Sequence, residues 1–138
     1  MSLAEKQQQL AARYLVIEDP HERLTAMVMR AKKWPAPDTA ARIDAHRVPG
    51  CVSRVWLIGR LENGGCHWLM DAESPLVKGL VAIHCELAEG ESPAEVASFE
   101  PNLISALHLD RQISPTRLQG LASVMQMIRS FAQSQLTT

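Results

Sequence analysis

The residues best suited to chemistry lie in the segment His46-Arg47-Val48-Pro49-Gly50-Cys51-Val52-Ser53-Arg54-Val55-Trp56, where one thiol sits on a Pro-Gly turn beside basic side chains. Proline fixes one backbone torsion and glycine opens conformations closed to other residues, so the chain can turn sharply before the apolar run from Val55 to Ile58 begins a strand. Cys51 then stands at a strand entrance. Arg47 and Arg54 are placed to favour its thiolate, the form that attacks sulfur. A small apolar filler in a turn is the other reading open to a lone cysteine here.

Two further blocks bear on that choice: Asp71-Ala72-Glu73-Ser74-Pro75-Leu76-Val77-Lys78-Gly79-Leu80 and Ile113-Ser114-Pro115-Thr116-Arg117-Leu118-Gln119-Gly120-Leu121. With the Val-Pro-Gly-Cys-x-Ser-x-Val-Trp block, in this order and spacing, the chain resembles the SufE family of sulfur-acceptor proteins, including its CsdE branch, over nearly its whole length. The resemblance implies that Cys51 accepts sulfane sulfur as a persulfide, and that Arg117, Gly50 and Arg47 meet the partner. It implies as partner a pyridoxal-phosphate-dependent cysteine desulfurase of the SufS or CsdA kind, which the carrier stimulates, and a downstream iron–sulfur scaffold as recipient. The pyridoxal phosphate belongs to that partner, so this chain needs no cofactor and is a carrier, not a stand-alone enzyme. One departure is Gln112, which stands where the family often has a histidine.

The other polar candidates carry weaker signals. Cys66 and His67 are strand neighbours, so their side chains point to opposite faces. His84 and Cys85 diverge around an apolar helix, and Cys85 reads as core. None of the close Cys/His spacings of zinc modules occurs. Asp71, Glu73 and Lys78 suit capping and surface ion pairs as well as partner contact, and Trp56 reads as core. Gly79 and Gly120 fall inside predicted helices at a cost of about 1 kcal/mol each relative to alanine, which implies close packing or backbone approach. An IscU-like scaffold is the alternative function, and would need three or four ligands converging near Cys51. A cysteine hydrolase would need a base such as His46 or His67 and an oxyanion site, and carries no motif here.

These residues must be positioned by a chain of 138 residues, a length that suits one domain over 1–138. Fourteen basic and fifteen acidic side chains leave a formal charge of −1 without runs of like charge, which argues against nucleic acid and membrane surfaces. The N-terminus lacks the pattern of a signal peptide, no apolar stretch reaches spanning length, and three cysteines make no disulfide framework, so the cytoplasm is expected.

Four pairs, Asp19-Pro20, Ser74-Pro75, Ser92-Pro93 and Ser114-Pro115, mark helix starts, two of them reinforced by Glu22 and Glu95. Periodicity predicts helices over 3–16, from 20 to Trp34-Pro35, over 76–89 and over 115–133, with short ones near 92–98 and 102–107. Strands are expected over 52–61 and 66–71, joined through Asn63-Gly64-Gly65, with 42–48 as a third, edge strand. Strands bunched between helices predict an α+β fold, a small antiparallel sheet of about three strands packed against helices. The SufE resemblance implies the same architecture, similar to IscU-type scaffolds.

Overall fold

A computed structural model describes residues 1–136. It is α+β: helices α1 (Leu3–Leu15) and α2 (Pro20–Ala31) precede strands β1 (Val55–Glu62) and β2 (Gly65–Ala72), and α3 (Pro75–Ala88), α4 (Pro93–Ser98), α5 (Leu103–Ala106) and α6 (Pro115–Leu136) follow. Each Xaa-Pro pair starts a helix. The Asp19, Ser74, Ser92 and Ser114 side chains accept from the amides of His21, Val77, Glu95 and Arg117, with proline at the first helical position. Ser2 and Glu5 cap α1 in the same way.

The strands pair antiparallel with Val55 opposite Ala72 and Glu62 opposite Gly65. Asn63 and Gly64, both at positive φ (53° and 77°), form the two-residue turn that the right-handed strand twist favours. Among the described residues the sheet has these two strands, not three. Over 42–48, where a third strand is expected, the chain forms a single 3₁₀ turn at Asp44–His46, preceded by another at Thr39–Ala41, and pairs with β1 where Arg47 bridges Trp56 and the Val48 amide donates to the Val55 carbonyl. A local bond, His46 Nδ1 to the Ala41 carbonyl at 2.8 Å, and an ion pair across the fold, the Arg42 guanidinium to Asp71 at 2.7 Å, hold those turns. Pro49, lacking an N–H, cannot extend the pairing.

Alternation along the hairpin sends Val55, Leu57, Cys66, Trp68 and Met70 into the core, where they meet α3 and α6. Helix α3 is buried on most of its surface because α1, α2, α6 and β2 pack around it, which accounts for its apolar composition. Gly79 lets α2 approach α3 closely: a Cβ there would stand 3.0 Å from Val28 Cγ2 on α2. Glu86, the acid on α3, receives Arg13 and Arg30 from the neighbouring helices. The buried charge is Arg23 of α2, whose guanidinium donates to the carbonyls of Tyr14, Ile17 and Glu18 at the end of α1 and to Leu107 after α5. It satisfies carbonyls that a helix end leaves open. Among the described residues no helix is long and apolar enough to cross a membrane.

Candidate functional site

Residues 49–54 form a loop between the Val48–Val55 bond and β1, so the strand begins at Val55 and not at 52. The C-terminal end of this loop is tied to the turn between β2 and α3. The Glu73 amide donates to the Arg54 carbonyl, the Arg54 amide to the Glu73 carboxylate, and the Ser74 amide to Ser53 Oγ. Gly50 sits at φ +80°, a conformation that side-chain-bearing residues rarely adopt, and this turns Cys51 toward α6. Val52, next to it, is 84% exposed.

Cys51 is half-buried, and its Sγ donates to the Gly120 carbonyl of α6 at 3.5 Å. Gly120 makes that approach possible, since a Cβ at this position would stand 3.2 Å from the sulfur. The thiol opens on a cleft of about 340 Å³ between α3 and α6, whose walls include Val77, Leu80, Val81, Leu121 and Val124. Ser53, Ser74, Ser114 and Thr116 add hydroxyls to the lining. Arg117 stands at this cleft, exposed, and its guanidinium makes no hydrogen bond or ion pair among the described residues.

Burial pushes the Cys51 thiol up from its ordinary value, and Arg47 pulls it the other way without overcoming that effect. The expectation that Arg47 and Arg54 together favour the thiolate is corrected on this point. Arg54 is engaged with Glu73 at 2.8 Å, and its guanidinium lies 5.9 Å from the Trp56 ring centre, with Arg42 at 5.5 Å from the same ring. Trp56 is buried, as expected of a core residue, beneath these two cations.

The structure thus brings Cys51, Gly50 and Arg117 to one place, with Arg47 just before the loop, and leaves the other candidates elsewhere. Cys66 and Cys85 are buried, and burial raises both thiols, Cys85 strongly. His67 lies on the opposite face of β2 from Cys66 and bonds the Glu89 carboxylate at 2.8 Å. His84 is buried, with Nδ1 on the Leu80 carbonyl, and burial lowers its pKa to about 4. Asp71 is held by Lys78 and Arg42; although burial raises it, these bonds leave its carboxyl below the usual range. Gln112 lies outside the cleft lining, and its side-chain carbonyl is buried without a hydrogen-bond partner among the described residues. Among the described residues no three His, Cys, Asp or Glu side chains converge to hold a metal. Ser123 of α6 escaped the sequence reading. A Cβ on Gly50 would stand 3.2 Å from its hydroxyl, and its place three residues after Gly120 was the available signal.

The family model for SufE, described as an Fe-S metabolism associated domain, matches residues 8–132, a span that holds the whole loop and cleft. The chain belongs to the SufE family. An uncharacterized SufE-like protein of Synechocystis is 32% identical over 83% of this chain and 72% of its own length. The sulfur acceptor protein CsdE of Escherichia coli is 34% identical over 80% of this chain and 75% of its own. A solution structure of a hypothetical protein from Thermus thermophilus superposes with a TM-score of 0.77 over the full length of both chains at 22% identity, a likeness of fold. In this SufE family member the Val-Pro-Gly-Cys block is the loop on α6, and the Ser-Pro-Leu-Val and Ser-Pro-Thr-Arg blocks are the first turns of the two helices that wall the cleft.

Proposed function

We propose that this protein is a sulfur acceptor of iron–sulfur metabolism that carries sulfane sulfur as a persulfide on Cys51. The observation that carries the reading is that Cys51 alone of the three thiols opens on a cleft, while Cys66 and Cys85 are buried. A donor persulfide on a cysteine desulfurase has an outer sulfur open to attack. The Cys51 thiolate, its proton lost to water, attacks that sulfur; a new S–S bond forms on Cys51, the donor S–S bond breaks, and the donor cysteine leaves as thiolate. The reaction needs no cofactor on this chain, because the pyridoxal phosphate that frees sulfur from cysteine belongs to the partner.

Arg117 lines the cleft beside Cys51, Gly50 precedes the thiol in its loop and Arg47 lies near enough to act on it electrostatically, which supports their role in meeting the desulfurase; a guanidinium with no partner among the described residues can bond carboxylates or carbonyls of another chain. The carrier stimulates the desulfurase by removing its sulfur and passes that sulfur to an iron–sulfur scaffold. It acts as one domain over 1–138, in the reducing cytoplasm. The donor set favours a carrier over a scaffold, since among the described residues no group of cluster ligands converges with Cys51. Incubation with a cysteine desulfurase and free cysteine, followed by intact-mass analysis, tests the reading. One added sulfur atom, absent in Cys51→Ser, is expected; no added sulfur on the wild type would overturn it.

A further inference from the structure

Helices α2 and α3 meet through small residues, Ala31 on the one and Gly79 and Ala82 on the other, and beside them lies a cavity of about 280 Å³ to which α1 contributes Tyr14. Met27, Ile83 and the ring of Trp34 complete its apolar walls. The Trp34 indole is fixed there, since its Nε1 donates to the Trp68 carbonyl at 3.2 Å. This cavity shares no lining residue with the Cys51 cleft. At about 100° per residue, Gly79, Ala82, Ile83 and Glu86 lie about half a turn around α3 from Val77, Leu80 and Val81, so the two openings stand back to back on one helix.

The polar groups of the cavity are donors in want of an acceptor. Tyr14 is only 6% exposed, yet its hydroxyl makes no hydrogen bond among the described residues; its backbone carbonyl alone is engaged. A buried hydroxyl without a partner is costly, and this one lines a cavity with room for one. Burial raises its pKa above the ordinary value, with Glu86 acting in the same sense against Arg30 and Arg13, so the hydroxyl keeps its proton. Glu86 does not serve as the missing acceptor: its carboxylate takes Arg30 Nε at 3.1 Å and Arg13 Nη1 at 3.3 Å. Arg30 spends Nε and Nη2 on Glu86, which leaves Nη1 without a partner among the described residues, and the exposed Lys33 ammonium has none either. Three cations, Arg13, Arg30 and Lys33, thus face one carboxylate, an excess that suits an anion.

We infer that this cavity between α1, α2 and α3 is a binding site for a small aromatic carboxylate, whose ring lies against Trp34 and the small residues of the helix contact and whose carboxylate accepts from the Tyr14 hydroxyl, Arg30 Nη1 and Lys33 Nζ. A flat ring suits walls made of Ala31, Gly79 and Ala82, which leave width but little depth for branched groups. The site is independent of the sulfur-acceptor reading, because no residue of the Cys51 cleft takes part in it.

Phenylacetate is the probe that tests this, with phenethyl alcohol as its uncharged counterpart. Titrated into isotope-labelled protein and followed by amide NMR shifts, phenylacetate is expected to give saturable changes around Tyr14, Met27, Arg30, Gly79 and Ala82, with Cys51 and Gly120 unmoved. The alcohol should bind about tenfold more weakly, having no charge to offer the cations. Tyr14→Phe keeps the ring and removes the hydroxyl, and is expected to weaken phenylacetate by about tenfold, the order for one hydrogen bond to a charged group. Lys33→Ala removes an exposed ammonium that holds nothing among the described residues, so the variant folds, and it should lose about threefold. Absence of saturable shifts, equal affinity for the alcohol, or shifts centred on the Cys51 cleft would each overturn the proposal. Unchanged affinity in both variants would overturn it as well, by showing that the donors of the cavity do not hold the carboxylate.

Discussion

The Arg23 guanidinium donates to the Leu107 carbonyl at 2.7 Å, joining α2 to the end of α5 across 84 positions of chain, while its other nitrogens close the C-terminal turn of α1. Removing it takes the side-chain donor from the buried Leu107 carbonyl and from the part-buried Ile17 carbonyl. Arg23→Met is expected to destabilise the protein by about 2 to 4 kcal/mol. Arg23→Lys recovers only part, because an ammonium cannot reach two directions from one plane. Urea unfolding of the three proteins checks this, and a loss below half a kcal/mol, by the same order-of-magnitude scale, would count against the assignment.

The buried His84 ties stability to acid. Its imidazole stays neutral in the fold down to a pKa of about 4, against 6.5 when unfolded, so below 6.5 the unfolded chain binds the extra proton. Stability is therefore intact above 6.5 and falls between 6.5 and about 4, at up to about 1.4 kcal/mol per pH unit from this group. Denaturant midpoints measured across that window should fall less steeply in His84→Gln than in the wild type. Equal slopes would assign the acid sensitivity to other groups.

Among the thiols, Cys51→Ser is expected to fold as the wild type does and to take no sulfur, since serine is close in size and forms no persulfide. Cys66→Ser and Cys85→Ala should keep transfer. Cys85→Ala is expected to lose about 1 to 2 kcal/mol through the cavity it leaves in α3. Persulfide mass on each variant decides the matter, and sulfur retained on Cys51→Ser would move the acceptor role to another thiol.

Arg117→Ala should weaken stimulation of the desulfurase and leave the melting temperature unchanged, because the side chain is exposed and bonds nothing among the described residues. Affinity and thermal unfolding are to be measured side by side. An unchanged affinity with a lowered melting temperature would make Arg117 an anchor of its own helix.

Local chemistry made much of this protein legible in its sequence. Capping oxygens followed by proline marked the starts of α2, α3, α4 and α6, and the Asn-Gly turn marked the hairpin, because these signals act within four residues and owe little to the rest of the fold. Local chemistry left Cys51 open between a reactive thiol and an apolar filler, and it was the resemblance of three separated blocks to the SufE family that singled it out. The third strand did not form because 3₁₀ turns compete with it, held by a local bond from His46 to the Ala41 carbonyl and by the Arg42 pair with Asp71, which depends on where the chain returns in space. That dependence is greatest at the site itself. Sequence placed Gly120 inside a helix and required a close neighbour for it, but only the packing of a loop from before β1 onto a helix 69 positions later made that neighbour the sulfur of Cys51. The balance between burial, which raises the thiol, and Arg47, which lowers it, was decided the same way: charge is written in the sequence, and desolvation exists only once the walls of α3 and α6 have closed around it.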